Sequence, residues 1–310
     1  MLDDDAADDE LAALDDGRDP LTGQDGRLRL SFTRIDTLRN CALRFRYQYV
    51  DRLPQRPAPA LSFGSSIHAV LEWVHDRKVP DVPPLDEMLD RLREVWDSSG
   101  YAEVEKAVQV REYERARDVL AAYHARVSRE GMRTPVGTEA WFELPFDDDV
   151  TVVGSIDRVD AAPDGTLHIV DYKTNKQAKS RKWVASSLQL GIYALATEHL
   201  YGAVPRTVAR DFVVPGVVGR VDRDELDLAA VPRLVAEAAA AVRAGAADPN
   251  PTKLCDWCDF RSVCPAWDGD GDEVLGRAVM EARALRARLR REVRELRALE
   301  DTVRRLGGAS

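Results

Sequence analysis

A hairpin pattern in the middle of the chain constrains its fold more than any other stretch. Two β-branched runs, VVGSIDRVD (152–160) and LHIVDYK (167–173), are joined by the turn APDG (Ala162–Gly165). Branched residues suit a pleated ladder, and Pro-Asp-Gly chemistry suits the tight connection between two strands. Within a strand, residues i and i+2 share a face, so Asp171 and Lys173 point into the same space. Antiparallel pairing can then set Asp157 beside Asp171. Two carboxylates and an ammonium on neighbouring strands make a site for a hard divalent cation and a water. A lone D-x-K is common on solvated strands. What raises its weight here is the acid-bearing strand before it, the apolar LHIV leading in, and a helix carrying Gln189 and Tyr193 after it.

The surroundings extend this pattern into an α/β arrangement. GTEAWFELP (Gly137–Pro145) alternates like a strand, with Glu139 on its site-facing side, and RTVARDFVVPG (206–216) reads as another strand. SSLQLGIYALATEHLYG (186–202) reads as a buried helix in which Gln189 and Tyr193, at i and i+4, share a face. Upstream, a Pro-rich linker (LPQRPAPA) precedes LSFGSSIHAVLEWVHDRKV, where Gly64-Ser65-Ser66 can start a helix and place His68 near its beginning. A histidine there is more often structural than a ligand, and His75 and His124 have less support still. Residues 85–130 read as two amphipathic helices forming an insert or lid, and residues 222–245 as a helix split by Pro232. In SFTRIDTLRNCALRFRYQY (31–49), arginines interleave with aromatics, which suits either phosphates and stacked bases or a core with solvated cations.

Charge is unevenly spread. The net charge of the chain is −10. Residues 1–26 hold ten acids and one arginine, so the rest is close to neutral and can bind a polyanion locally. That acidic start, residues 1–28, reads as a disordered tail. Residues 272–310 read as a C-terminal helix, docked or in a short coiled coil, with ten arginines between 277 and 305. No apolar run spans a bilayer and no signal peptide is recognised, so a cytoplasmic protein without membrane partners is expected. No Walker A sequence occurs, which argues against a motor ATPase.

The four cysteines are Cys41, Cys255, Cys258 and Cys264, the last three in C-x2-C-x5-C followed by Pro265. That spacing is a metal or cluster signature, and thiolates alone suit either Zn²⁺ or iron–sulfur.

In this order, SFTRIDTLRNCALRFRYQY, GSSIHAVLE, TEAWFEL, GSIDRVD, IVDYKTNK, SLQLGIYALA and the cysteine knuckle resemble the RecB-family branch of the PD-(D/E)XK nucleases, over residues 29–267. The iron–sulfur members of that branch include the AddB C-terminal nuclease and CRISPR adaptation nucleases. The resemblance implies a restriction-endonuclease-like core, a mixed central sheet flanked by helices, with a helical insert and an iron–sulfur knuckle. It implies that His68, Asp157, Asp171 and the Tyr172 carbonyl bind Mg²⁺ or Mn²⁺, and that Lys173 is the catalytic lysine. Gln189 and Tyr193 match the Q-x-x-x-Y helix on the side where DNA enters, and Glu139 is a looser match to an upstream acid. Cys41, Cys255, Cys258 and Cys264 match the ligands of a 4Fe–4S cluster, with Zn²⁺ the alternative. The implied activity is a DNA nuclease, an exonuclease on single strands or ends in repair or recombination, with a helicase or repair partner. A CRISPR spacer-precursor trimming nuclease and a non-catalytic DNA-binding module of a helicase–nuclease complex are the competing readings.

Overall fold

The computed structural model describes residues 21–267, apart from Pro54, Pro57, Lys78 and Pro80, together with Leu285 and Leu289. The chain divides into a larger unit, residues 29–32 and 56–240, and a smaller one made of residues 1–28, 33–55 and 241–310.

The larger unit is built on a six-stranded sheet in the order β1-β3-β4-β5-β6, with β2 paired to β3. The strands are β1 (Leu28–Leu30), β2 (Thr134–Pro145), β3 (Val150–Ala161), β4 (Leu167–Lys173), β5 (Pro205–Phe212) and β6 (Val217–Asp222). The expected hairpin forms between β3 and β4, antiparallel, with Arg158 opposite Val170 and Ala161 opposite Leu167. Its turn is closed by Ala162 N–H donating to the Thr166 carbonyl (2.9 Å) and Gly165 N–H to the Ala162 carbonyl (2.9 Å). Gly165 has φ +82°, a region glycine enters without a Cβ penalty. β4 then pairs in parallel with β5, Asp171 opposite Arg210. Parallel neighbours require a crossover. The long helix between them supplies it. The result is the mixed α/β sheet flanked by helices that the sequence implies.

In the smaller unit, α1 (Phe32–Asn40) and α2 (Ala42–Phe45) are followed by a π-helical turn, Arg46–Val50. Leu43, Tyr47, Leu53 and Phe260 form its core. The Tyr47 and Phe260 rings meet edge-on at 5.5 Å, and Tyr47 donates its hydroxyl to the Val263 carbonyl at 3.2 Å. Phe45 and Tyr47 are buried, so these two aromatics of the run pack inside and do not offer a base-stacking surface. Order also begins earlier than expected. Leu21 is buried and Thr22 bridges to Leu28, because a leucine in that acidic stretch finds an apolar site. Residues 1–20 of the expected tail lie outside the described residues. So does the expected 272–310 helix, save Leu285 and Leu289, which are helical and exposed.

The remaining helices are α3 (Pro59–Asp76), α4 (Leu85–Val95), α5 (Lys106–Glu130), α6 (Arg181–Ala185), α7 (Leu188–Tyr201) and α8 (Ala230–Arg243). Helix α3 starts at Pro59, not at Gly64, since proline is well suited to a first turn where no intrahelical donor is needed. His68 therefore sits in mid-helix. Ile67, Val70, Leu71 and Val74 of α3 pack against Met88 and Leu92 of α4 and Leu120 of α5. Each such burial contributes roughly 1.5–3 kcal/mol, so residues 85–130 are part of the core and not merely a lid. Strand β6 was not anticipated, and the expected 222–245 helix shrinks to α8. A 3₁₀ turn with an Asp222–Glu225 capping box precedes it. Pro232 falls in the first turn of α8, where it splits nothing.

Candidate active site

The ladder between β3 and β4 stops at Arg158–Val170, one pair short of Asp157 and Asp171. Past that point β4 stays with β5 as far as Lys173, while β3 stays with β2. The Tyr172 N–H, which loses its β3 partner, donates instead to Asp157 Oδ2 at 2.6 Å. A buried N–H left unpaired is costly, so this contact fixes the Asp157 carboxylate at the mouth of the splayed strands.

Asp171 is fully buried. Lys173 Nζ lies 2.9 Å from its Oδ1 and 2.8 Å from its Oδ2, as the i, i+2 spacing requires. A second cation, Arg210 on β5, approaches Oδ2 through Nε at 3.2 Å. Arg210 also donates through Nη2 to Ser187 Oγ (2.8 Å) and Gln189 Oε1 (3.0 Å). Gln189 Nε2 donates in turn to the Tyr193 hydroxyl at 2.9 Å. The paired face of α7 is thus tied to Asp171 through Arg210, a residue the sequence reading missed. The available signal was a charged Arg-Asp pair inside the otherwise apolar TVARDFVV.

On the other side of the splay, ligand atoms of His68, Glu139 and Asp157 all lie within 4.8 Å of one another. His68 Nδ1 is 3.8 Å from Asp157 Oδ2. Glu139 has φ +40° and accepts a hydrogen bond from Ser155 Oγ at 2.8 Å. A left-handed glutamate costs on the order of 1–3 kcal/mol, and strain of this kind clusters at functional sites. Asp171 is not one of this trio; its carboxylate is held by Lys173 and Arg210.

Burial, then the charge of Asp171, pushes the Asp157 carboxyl well above its usual range. Burial, then Lys173, pulls the His68 imidazole down. Burial, then Asp171, raises the Tyr193 hydroxyl. A neutral imidazole beside crowded, desolvated carboxylates is a donor set that a divalent cation relieves. The oxygen and nitrogen donors fit Mg²⁺ or Mn²⁺.

The profile of the PD-(D/E)XK nuclease superfamily matches residues 29–265, a span that holds every one of these groups. The chain belongs to the PD-(D/E)XK nuclease superfamily. Among its relatives, the Gene 69 protein of Mycobacterium phage D29 is 29% identical over 271 residues, covering 76% of this chain and 96% of that protein. The Gene 69 protein of Mycobacterium phage L5 is 24% identical, with the same coverage of 76% and 96%. One subunit of the ATP-dependent helicase/deoxyribonuclease of Streptococcus agalactiae serotype Ia is 24% identical over 163 residues, half of this chain but 15% of that much longer protein. No described helix of this nuclease-family chain is long and apolar enough to cross a membrane.

The four cysteines of the smaller unit line one cavity together with Tyr47 and Phe260. No disulfide joins them. Cys41 Sγ caps α2 by accepting from Arg44 N–H at 3.4 Å, and Cys255 Sγ accepts from Thr252 N–H at 3.3 Å. Burial raises the Cys258 thiol, with Cys255 and Cys41 close enough to add to the shift. Among the described residues, no three sulfurs lie within 4.8 Å of one another.

Proposed function

We propose that this chain is a metal-dependent deoxyribonuclease, an exonuclease on single strands or free ends, working in DNA repair or recombination beside a helicase. The observation that carries the reading is the convergence of Asp171–Lys173 and His68–Glu139–Asp157 at the open end of a single hairpin. The similarity to part of a helicase/deoxyribonuclease supports DNA as substrate and a helicase as partner. His68, Glu139 and Asp157, with Asp171 and the Tyr172 carbonyl, would hold Mg²⁺ or Mn²⁺. When bound, such an ion supplies Lewis acidity at the phosphate and a more acidic water.

The chain's own groups do the rest. Lys173, anchored on Asp171, presents Nζ to the attacking oxygen and balances negative charge as the phosphate becomes pentavalent. Arg210 contacts the Asp171 carboxylate and orients Gln189. Gln189 and Tyr193 form a polar edge along which the strand is positioned. A non-catalytic module would have no use for this complete set.

The cysteines would hold a 4Fe–4S cluster. Thiolates alone suit either Zn²⁺ or an iron–sulfur cluster, and it is the family resemblance that favours the cluster. Joining Cys41 to Cys255–Cys264 closes a loop of over two hundred residues, a cross-link that restricts the unfolded chain strongly.

Purification without oxygen, an iron assay, and digestion of end-labelled single- and double-stranded DNA with Mg²⁺ or Mn²⁺ test both parts. The expected result is a brown protein absorbing at roughly 400 nm that shortens single strands from an end and stops in EDTA. A colourless zinc protein overturns the cluster, and no cleavage with either ion overturns the nuclease.

A further inference from the structure

Two exposed indoles stand beside the site, each one residue removed from its carboxylates. Trp183 of α6 is 42% exposed, and its ring covers the Arg210 guanidinium at 4.3 Å. Arg210 in turn contacts Asp171. Trp141 of β2 is 60% exposed and lies directly across the ladder from Ser155, whose hydroxyl holds Glu139. One indole therefore belongs to the β2 side and the other to the β5 side. The strands that carry Trp141 and Arg210 are three places apart in the sheet, and the two strands between them, β3 and β4, are splayed at this level. The carboxylates lie between them.

The chain leading from the site to Trp183 is KTNKQAKSRKW (173–183). Lys176, Lys179 and Lys182 in it are exposed, and none makes an ion pair among the described residues, whereas Arg181 is paired with Glu225. Single exposed aromatics are common on protein surfaces. An indole with one side occupied by a buried guanidinium, at the end of an unpaired lysine tract and next to a nuclease centre, is a different case. Cationic tracks that follow a phosphate backbone, combined with aromatic faces that receive bases, are how proteins hold unpaired nucleic acid.

We infer that Trp141 and Trp183 are stacking platforms for unpaired bases on either side of the scissile phosphate, with Lys176, Lys179 and Lys182 holding the strand's backbone. Bases in a duplex already have both faces covered by their neighbours, so these indoles select single strands and frayed ends. The inference rests on the nuclease reading for the place of the phosphate, but its test does not depend on cleavage.

The test is equilibrium binding of a fluorescein-labelled 20-nucleotide oligothymidylate, and of a blunt duplex of the same length, to the full chain in EDTA. Trp183→Ala and Trp141→Ala should each weaken single-strand binding by about tenfold and leave duplex binding within about twofold. Trp183→Phe, which still covers Arg210 with a ring, should keep most of the affinity. Trp141→Ala touches none of the Arg210 contacts, so its loss cannot be blamed on a disturbed Asp171. Replacing Lys176, Lys179 and Lys182 with Gln should flatten the salt dependence of single-strand binding by about 2 in log–log slope. Unchanged oligothymidylate binding in both tryptophan variants, or an equal loss for strand and duplex, overturns the inference even if the wild type cuts DNA. A wild type that cuts nothing but binds in this tryptophan-dependent way overturns the nuclease reading and leaves the platforms standing.

Discussion

Asp157 and Asp171 adjoin Arg158 and Tyr172 in sequence, yet the two pairs have opposite fates. Asp157 and Asp171 sit where β3 and β4 separate, with two desolvated carboxylates crowding one another and Asp157 driven up in pKa as a result. Arg158 and Tyr172 sit in a closed network. Arg158 Nη1 donates to the Tyr172 hydroxyl (2.5 Å), to His75 Nε2 (2.7 Å) and to the Tyr123 hydroxyl (3.3 Å). Its Nε lies 2.9 Å from Asp160. The guanidinium has only donors, so His75 Nε2 must accept and the ring must be neutral. Nearby, Arg126 and Asp211 pair at 2.6 Å. In the network each buried charge has its counter-charge. In the site the balance is left incomplete, and that incompleteness is what a cation and a phosphate would answer. The comparison teaches that a cluster of buried ionisable groups points to chemistry when its charges do not cancel, and to structure when they do.

The largest effect should come from the incomplete side. Asp171→Ala or Lys173→Ala should lower cleavage at least about a thousandfold while DNA affinity, measured by anisotropy in EDTA, survives. Either variant cutting like the wild type would break the comparison at its functional end. On the complete side, Arg158→Met should do the reverse. It strands Asp160 without its partner and leaves His75 and both tyrosines without their donor, a loss of about 3–5 kcal/mol. A fall of the urea midpoint with turnover per folded molecule kept within about threefold is the expected outcome. If Arg158→Met is as stable as the wild type but dead, the network belongs to the chemistry after all.

Much of this was legible before any coordinates. The alternation in LHIVDYK places Asp171 and Lys173 together, the APDG turn fixes the hairpin, and the i, i+4 spacing in α7 pairs Gln189 with Tyr193, because these relations are local and periodic. The splay of β3 from β4 was not legible, since it depends on where two ladders stop competing for β4. Arg210 was missed for a related reason: it reaches Asp171 only through parallel pairing of β4 with β5, and register between parallel strands is not written in either one. Glu139 was placed as a loose match. Its left-handed backbone and its bond to Ser155 arise from tertiary contacts that alternation cannot express. The 31–49 aromatics were ambiguous because burial of Tyr47 depends on Phe260 and Val263, over two hundred residues away. Trp141 and Trp183 are plain in the sequence, but nothing there tells an exposed indole from a buried one.

The smallest effect, and the finest probe of the contrast, is the pH response of His75. Burial, and then the charge of Arg158, pulls its pKa down to about 2, against about 6.5 in the unfolded chain. The folded state therefore refuses a proton that the unfolded state takes up below pH 6.5. Stability conferred by the neutral ring is complete above that pH and is lost as pH falls toward the folded value. Between pH 7 and pH 5 the loss from His75 alone is about 2 kcal/mol. The raised carboxyls of Asp160 and Asp211 act in the opposite sense, since their protonated forms are favoured in the folded chain as pH falls. The informative quantity is thus the difference between the wild type and His75→Gln. Glutamine can accept from Arg158 through its carbonyl and donate to Tyr123 without titrating. His75→Gln should lose less stability than the wild type from pH 7 to pH 5, by about that 2 kcal/mol, in urea titrations at the two pH values. Parallel losses would mean that His75 takes up its proton in the folded state, which Arg158 at 2.7 Å could not tolerate; the closed network would then have to open, and the distinction between the two pairs would fall with it.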